Sequence, residues 1–367
     1  MQITIFGGTG SLGAYFSYRL VNAGHNVSII GRENSLNLKQ MAEIGLTINF
    51  SNETIFVESS NFRYIAAYNH STLTVKQDLV IVSLKQPNFD ISVAHQIMNL
   101  TDEHSIIGVI SNGLPFYFLA DFSLTAKTYI EAVDEGGEIF QLMQTRKLIT
   151  IMPLMASNIV SPGVIKVVNP QDKIKTFVGG KLIDQNKLEL ISQTLNDSLI
   201  PNIISTDINK NLLEKLQFSL AINVMSALLD QFNGQVFKSE LNQNYVHYVI
   251  QFVANLAKAL GIENLRDYNA FKALNISESR YSSMHEDIAN GKTPEVKIII
   301  SAPLELAYHF NLTISTKPLE IVESLILAKS NNISISLEQI QELYYEAELA
   351  LNETEVAINM LGENPNF

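Results

Sequence analysis

The chain of 367 residues contains no cysteine, which excludes disulfides and thiolate metal centres. Its seven histidines lie far apart, none in an H-E-x-x-H or similar spacing, so a metal site has no support. Basic charge is also scarce. Lys and Arg number 25 against 37 Asp and Glu, a formal net charge of −12, and no long basic cluster occurs. A nucleic-acid surface needs such a cluster to displace phosphate counterions, so nucleic acid is not an expected partner. An anionic cofactor would have to find local positive charge. No apolar run reads as a membrane span, and the first residues read as a strand and not as a secretory signal, so no membrane partner is expected and the cytoplasm is the expected location. What remains, 46% hydrophobic and 17% charged, suits a globular chain long enough for two domains.

Glycine is concentrated where it counts, in the opening MQITIFGGTGSLG. A short apolar run (Ile3, Ile5, Phe6) meets four glycines, and helical spacing starts at once with Leu12, Phe16 and Leu20. Strand, tight turn and helix start in this order form a dinucleotide fingerprint: glycine permits positive φ and close approach of a phosphate, and a helix N-terminus offers free N–H groups. Two registers fit, Gly8, Gly10, Gly13 as G-x-G-x-x-G and Gly7, Gly10, Gly13 as G-x-x-G-x-x-G. Gly8, Thr9, Gly10, Ser11, Leu12 and Gly13 are therefore the expected cofactor-binding residues.

The second strand, Asn26 to Ile30, ends in Gly31, Arg32 and Glu33. This tip meets the adenosine ribose in dinucleotide folds, where an acidic residue binds the 2′-hydroxyl and an arginine pairs with a 2′-phosphate. Arg32 comes first, which favours NADP over NAD. Residues 46 to 67 read as short strands in a β-rich excursion. The runs Asp78 to Leu84 and Ser105 to Ile110 read as buried parallel strands, ending in Lys85 and in Ser111, Asn112 and Gly113. Ligands gather beyond such strand ends, which makes Lys85 and Asn112 site candidates. Strands are expected again at 148–152, 163–168, 176–179 and 202–205, with a helix over 187–195.

From Asp207 onward the period becomes helical, over 211–229, 245–260, 278–289, 294–309 and 318–328. The architecture expected is an α/β Rossmann-type dinucleotide-binding domain, 1–206, followed by an all-α domain, 207–330, and a helical extension, 331–367. The most informative helix is EKLQFSLAINVMSALL. Lys215, Ser219, Asn223 and Ser226 follow one another at four, four and three residues, one narrow polar face on an otherwise apolar helix. A buried polar stripe needs partners, which a cleft between domains would supply. In Ser282 to Glu295, Asn290 and Gly291 end one helix and Thr293 with Pro294 start the next, placing Glu295 in its first turn, where ordinary capping would account for it. The extension carries a capping box at Ser336 and Gln339 and an apolar stripe of Leu337, Ile340, Tyr344, Ala347 and Ala350; its cover is either the chain's own helices or a second copy in a homodimer.

As a set these residues resemble the ketopantoate reductase (2-dehydropantoate 2-reductase) family over about residues 1–330. The resemblance is carried by the glycine fingerprint, Arg32, Leu84-Lys85, Asn112-Gly113 and S-P-G-V-I at 161–165. Glu214-Lys215-Leu216 with Asn223, S-S-M-x-x-D-I at 282–288 and Pro294-Glu295 complete it. The twelve-residue step from Ser283 to Glu295 is its most specific element. The resemblance implies a 6-phosphogluconate-dehydrogenase-like helical domain and NADPH-dependent reduction of a 2-oxo acid to a 2-hydroxy acid, ketopantoate to pantoate in the family's case. It further implies Lys215 as the general acid and Glu295 as the carboxylate holding the substrate hydroxyl. Asn112, Ser219, Asn223 and Ser283 would be substrate-binding, with Ser283 on the carboxylate, and Asn112 would also meet the cofactor.

The chain departs from the family pattern in its extra turn glycine, in Ser219 where an asparagine is common, and in a long stretch from Leu114 to Arg146. The aromatic Pro115 to Phe118 cluster in that stretch is expected over the substrate, which leaves open which 2-oxo acid is reduced. A short-chain dehydrogenase would suit the wider glycine register but needs Tyr-x-x-x-Lys, present only as Tyr268 and Lys272. A non-enzymatic NADP sensor predicts a lost acid, whereas Lys215 is present.

Overall fold

Four-residue apolar runs such as LVIV and IIGV, every residue buried, cannot sit at a half-solvated sheet; they need helices on both faces. The computed structural model describes residues 1–67, 73–122, 127–180, 183–274, 276 and 279–362. It divides the chain into two units, Met1–Ser111 with Gly137–Ile208, and Asn112–Gly136 with Asn209–Phe367.

The first unit is α/β. Its strands are β1 (Gln2–Phe6), β2 (Asn26–Gly31), β3 (Gly45–Asn49), β4 (Thr54–Glu58), β5 (Tyr64–Ala67), β6 (Leu79–Val82), β7 (Ile106–Val109), β8 (Lys147–Leu154), β9 (Ser157–Ser161), β10 (Val164–Val167), β11 (Lys175–Gly179) and β12 (Asn202–Ile204). The main sheet runs β12-β11-β8-β7-β6-β1-β2-β5. All its pairs are parallel except β8 with β11. The chain moves outward from β1 to β2 and β5, then returns to β6 on the other side of β1. That reversal is the topological switch point at which open α/β sheets hold ligands. The β-rich excursion is thus split: β5 joins the main sheet, while β3 and β4 join β9 and β10 in a second sheet ordered β4-β3-β10-β9. β9, where no strand was expected, pairs antiparallel with β10. Helix Ser11–Asn22 packs against this small sheet as well as against β1 and β2.

The second unit is helical. A continuous helix runs from Ile208 to Leu229, and among the described residues it is the one helix long and apolar enough to cross a membrane. The sequence reading found no such run; 72% of the apolar window is buried inside the protein, so its composition serves a core. Around it lie Glu240–Ala259, Ser283–Ala289, a helix ending at Ala302–His309, Lys317–Ser330 and Leu337–Gly362. The expected helix start at Glu278 lies outside the described residues; the helix itself begins at Ser283. Residues 112–136, placed by sequence in the α/β half, cluster with the helices, because Glu305 accepts hydrogen bonds from the Glu131 and Ala132 N–H groups at 2.8 and 2.7 Å and pairs with Lys127 at 2.5 Å.

Candidate functional site

The α/β unit contributes a cradle. Gly7 turns the chain with φ 77°, and a Cβ there would lie 2.5 Å from the Ser83 carbonyl beyond β6. A Cβ on Gly8 would press Ile29 of β2 at 2.8 Å, so packing alone accounts for the extra glycine. Gly13 is tighter still: its Cβ would meet the Gly7 oxygen at 2.3 Å. Gly10 differs from all three. It caps helix Ser11–Asn22, and its Cβ would meet only the Gly7 oxygen, at 3.3 Å, with open space otherwise. That first turn has no side-chain cap and no acidic residue, so the positive end of the helix dipole is left to a ligand. Such a cradle fits a dinucleotide phosphate.

The turn is held from outside, in part by Asn37 and Ser157, which the sequence reading did not single out. The Asn37 amide donates to the Thr9 carbonyl at 3.2 Å while its oxygen accepts from the Gly163 N–H at 3.2 Å, and Ser11 donates to the Ser157 carbonyl at 2.9 Å. A Cβ on Gly31 would strike Thr9 at 3.0 Å. Arg32 follows β2 and is exposed, its carbonyl closing a turn onto Ser35. Lys85 follows β6 and is half-buried. Both stand at strand ends, as their place in the sequence requires.

The helical unit contributes a polar cluster. Helix Ile208–Leu229 opens into a π-turn at Ser219–Asn223, where the Val224 N–H reaches the Ser219 carbonyl. Polar residues repeating every four positions drift by about 40° per step on an α-helix. The wider turn takes up that drift and keeps Lys215, Ser219 and Asn223 together. The Tyr245 hydroxyl supports the turn by donating to the Leu220 carbonyl at 3.3 Å, and burial raises its pKa. Ser219 is buried, Lys215 and Asn223 half-buried. Ser226 leaves the stripe: its hydroxyl donates to the Gln231 carbonyl at 2.7 Å and accepts from the Ser282 N–H at 3.1 Å, a structural role.

Glu295 is buried, and its carboxylate accepts from the Asn112 amide at 3.0 Å. The two residues are 183 positions apart. Glu295 stands before the helix, with its carbonyl accepting from the Ile299 N–H at 3.3 Å, so it is a capping residue and not a first-turn residue as expected from Thr293 and Pro294. A second π-turn follows at Lys297–Ser301 and packs against the first. Burial pushes the Lys215 ammonium down to about 8, and the Glu295 charge opposes that fall. A lysine so tuned can give up a proton near neutral pH.

Two further stretches singled out by sequence lie as follows. Ser283 is exposed in the first position of its helix, whereas its neighbour Ser282 is buried and ties the helices together, donating to the Asn223 carbonyl at 2.8 Å and capping His285 at 3.1 Å. The aromatic cluster after Asn112 is core: Phe116, Tyr117 and Phe118 are all buried, and Phe118 packs on Phe122 with ring centres 5.3 Å apart. Tyr268 and Lys272, the pair a short-chain dehydrogenase would need, are occupied otherwise. The Tyr268 hydroxyl donates to Gln243 at 2.5 Å and Lys272 lies 5.4 Å from the Tyr268 ring centre.

The family model of the ketopantoate reductase PanE/ApbA matches residues 3–117, and that of its C-terminal part matches 207–330. A 2-dehydropantoate 2-reductase of Aquifex aeolicus is 22% identical over 330 residues, 88% of this chain and 95% of the relative. Among solved structures, D-mandelate dehydrogenase with NADH and anilino(oxo)acetate is similar with a TM-score of 0.74 at 17% identity, over 91% of this chain and 100% of that one. A dimeric ketopantoate reductase from Staphylococcus aureus has a TM-score of 0.65 at 17% identity, over 90% and 99%. With both family models matched in order, and a glycine cradle and a lysine–carboxylate cluster where they fall, the chain belongs to the ketopantoate reductase family of oxidoreductases.

Proposed function

We propose that the protein is an NADPH-dependent 2-oxo acid reductase, with ketopantoate as the first substrate to test. The observation that carries this reading is Lys215, an ammonium brought down to about 8 by burial beside the Glu295 carboxylate, on the same helix as Asn223 and Ser219. The uncapped helix after Gly10 would hold the cofactor phosphates, Arg32 the 2′-phosphate, and Lys85 and Asn112 further parts of the cofactor. When bound, the reduced nicotinamide supplies a hydride. Negative charge then develops on the substrate's carbonyl oxygen, and Lys215 both stabilises that charge and donates the proton that quenches it. Asn112, Ser219 and Asn223 orient the substrate, Ser283 serves its carboxylate, and Glu295 accepts a hydrogen bond from its hydroxyl.

A second reading, a related reductase for a different 2-oxo acid, is favoured by the similarity to D-mandelate dehydrogenase, whose structure holds NADH and anilino(oxo)acetate. The deciding experiment follows NADPH and NADH oxidation against a panel of 2-oxo acids, ketopantoate and aromatic members included. A homodimer is part of the proposal, supported by the dimeric relative, and sedimentation would test it. If NADPH binds yet no 2-oxo acid is reduced, the reductase reading falls.

A further inference from the structure

Beside the hydrogen bond from Asn112 to Glu295 lies a backbone device that neither residue supplies. In the π-turn at Lys297–Ser301 the Ala302 N–H reaches back to the Lys297 carbonyl, so it is withdrawn from Ile298, its ordinary α-helical partner. The next donor along the chain would be residue 303, which is proline and has no N–H. The Ile298 carbonyl is thereby left to an outside donor, and the Leu114 N–H takes it at 3.2 Å. Between Asn112 and Leu114 stands Gly113, where a Cβ would lie 2.2 Å from the Ile298 oxygen and 2.6 Å from its carbonyl carbon. Only glycine allows this approach. Leu114 is buried, so its amide has little water to turn to if the bond is lost.

We propose that the π-turn is a seat for the Asn112–Leu114 segment, with Pro303 and Gly113 as positioning residues that set the Asn112 amide on the Glu295 carboxylate. The inference rests on the reading of Asn112 and Glu295 as substrate-binding groups, and it extends that reading to two residues remote from the reacting atoms. Misplacement by about 1 Å in such a pair can cost as much as 10²-fold.

The test uses the full-length Pro303→Ala and Gly113→Ala variants and two kinds of readout. In the first, which needs no activity, hydrogen exchange at the Leu114 amide and the NMR signal of the Asn112 side-chain amide are followed. Pro303→Ala should speed Leu114 exchange about ten-fold or more, and either variant should move the Asn112 signal toward that of a free amide. In the second, KM for the best 2-oxo acid should rise about ten-fold or more, by a larger factor than the cofactor dissociation constant. Pro303→Ala restores a backbone donor and removes no core volume beyond the ring, so it keeps the test open should Gly113→Ala fail to fold. Unchanged exchange at Leu114 and an unmoved Asn112 signal in Pro303→Ala would overturn the seat. A wild-type protein that reduces no 2-oxo acid would instead overturn the reductase reading, with the exchange result still deciding the seat.

Discussion

Lys215 is the residue on which chemistry and electrostatics meet. Its ammonium is desolvated, which pulls its pKa from 10.5 to about 8, and Glu295 supplies the opposing charge. As the proposed general acid, Lys215 works only while protonated, so the proposed 2-oxo acid reduction should fall as pH rises through about 8. Glu295→Gln removes the opposing charge, so the falling limb should move to lower pH; a limb that stays put in a full pH–rate profile would separate the two residues. The folded state holds fewer protons than the unfolded one between about 8 and 10.5, so this lysine lets stability rise with pH across that window. Lys215→Ala should cost about 10² to 10⁴ in turnover with cofactor affinity nearly constant. Turnover near wild type would make the polar stripe structural. Arg32, exposed at the end of β2, is the proposed partner of the 2′-phosphate: Arg32→Ala should raise KM for NADPH about ten-fold or more and barely touch NADH kinetics. A wild-type preference for NADH would pass the ribose to Glu33.

At the scale of elements, the glycine turn and the two π-turns do the positioning. Gly10 and Gly13 are alike in sequence and opposite in surroundings. Gly13→Ala would drive a Cβ to 2.3 Å from the Gly7 carbonyl and should destabilise the whole turn, lowering the thermal midpoint together with cofactor binding. Gly10→Ala would bring its Cβ only to 3.3 Å from the same oxygen, a much milder contact, so the midpoint should fall less than in Gly13→Ala while cofactor affinity drops about ten-fold or more. Equal loss of stability in both variants would show the cradle to be packing alone. The strand–turn–helix order was legible because its periods and its glycines agree. The π-turns were not, since an extra residue within a helix leaves the apolar pattern nearly intact; only the four-residue repeat of Lys215, Ser219 and Asn223 bore a trace of one.

At the scale of the molecule, the chain uses two insertions to complete its helical unit. Residues 112–136 leave the end of β7 and dock through Glu305, and Leu337–Gly362 lies along Glu240–Ala259 with Leu343, Ala347 and Ala350 buried. The stripe of this last helix is therefore covered in large part by the chain's own helices. The Tyr344 hydroxyl donates to the Asn242 oxygen at 2.5 Å, and Asn242 is itself 1% exposed. Tyr344→Phe leaves that oxygen without its donor at a cost of about 1–3 kcal/mol, which should lower the urea midpoint. An unchanged midpoint would mean that water replaces the hydroxyl.

The sequence by itself determined what local chemistry can determine: the glycine cradle, the buried parallel strands, the switch to helical period after residue 206, the capping box at Ser336 and Gln339, and the lysine helix. Each is decided by residues within a turn or two of one another. Tertiary structure alone decided the partners. Asn112 meets Glu295 across 183 positions, Ser282 and not Ser283 carries the helix-to-helix hydrogen bonds, and the aromatic residues after Asn112 go into the core. Such choices turn on which groups from distant parts of the chain are brought together, and no local pattern records that.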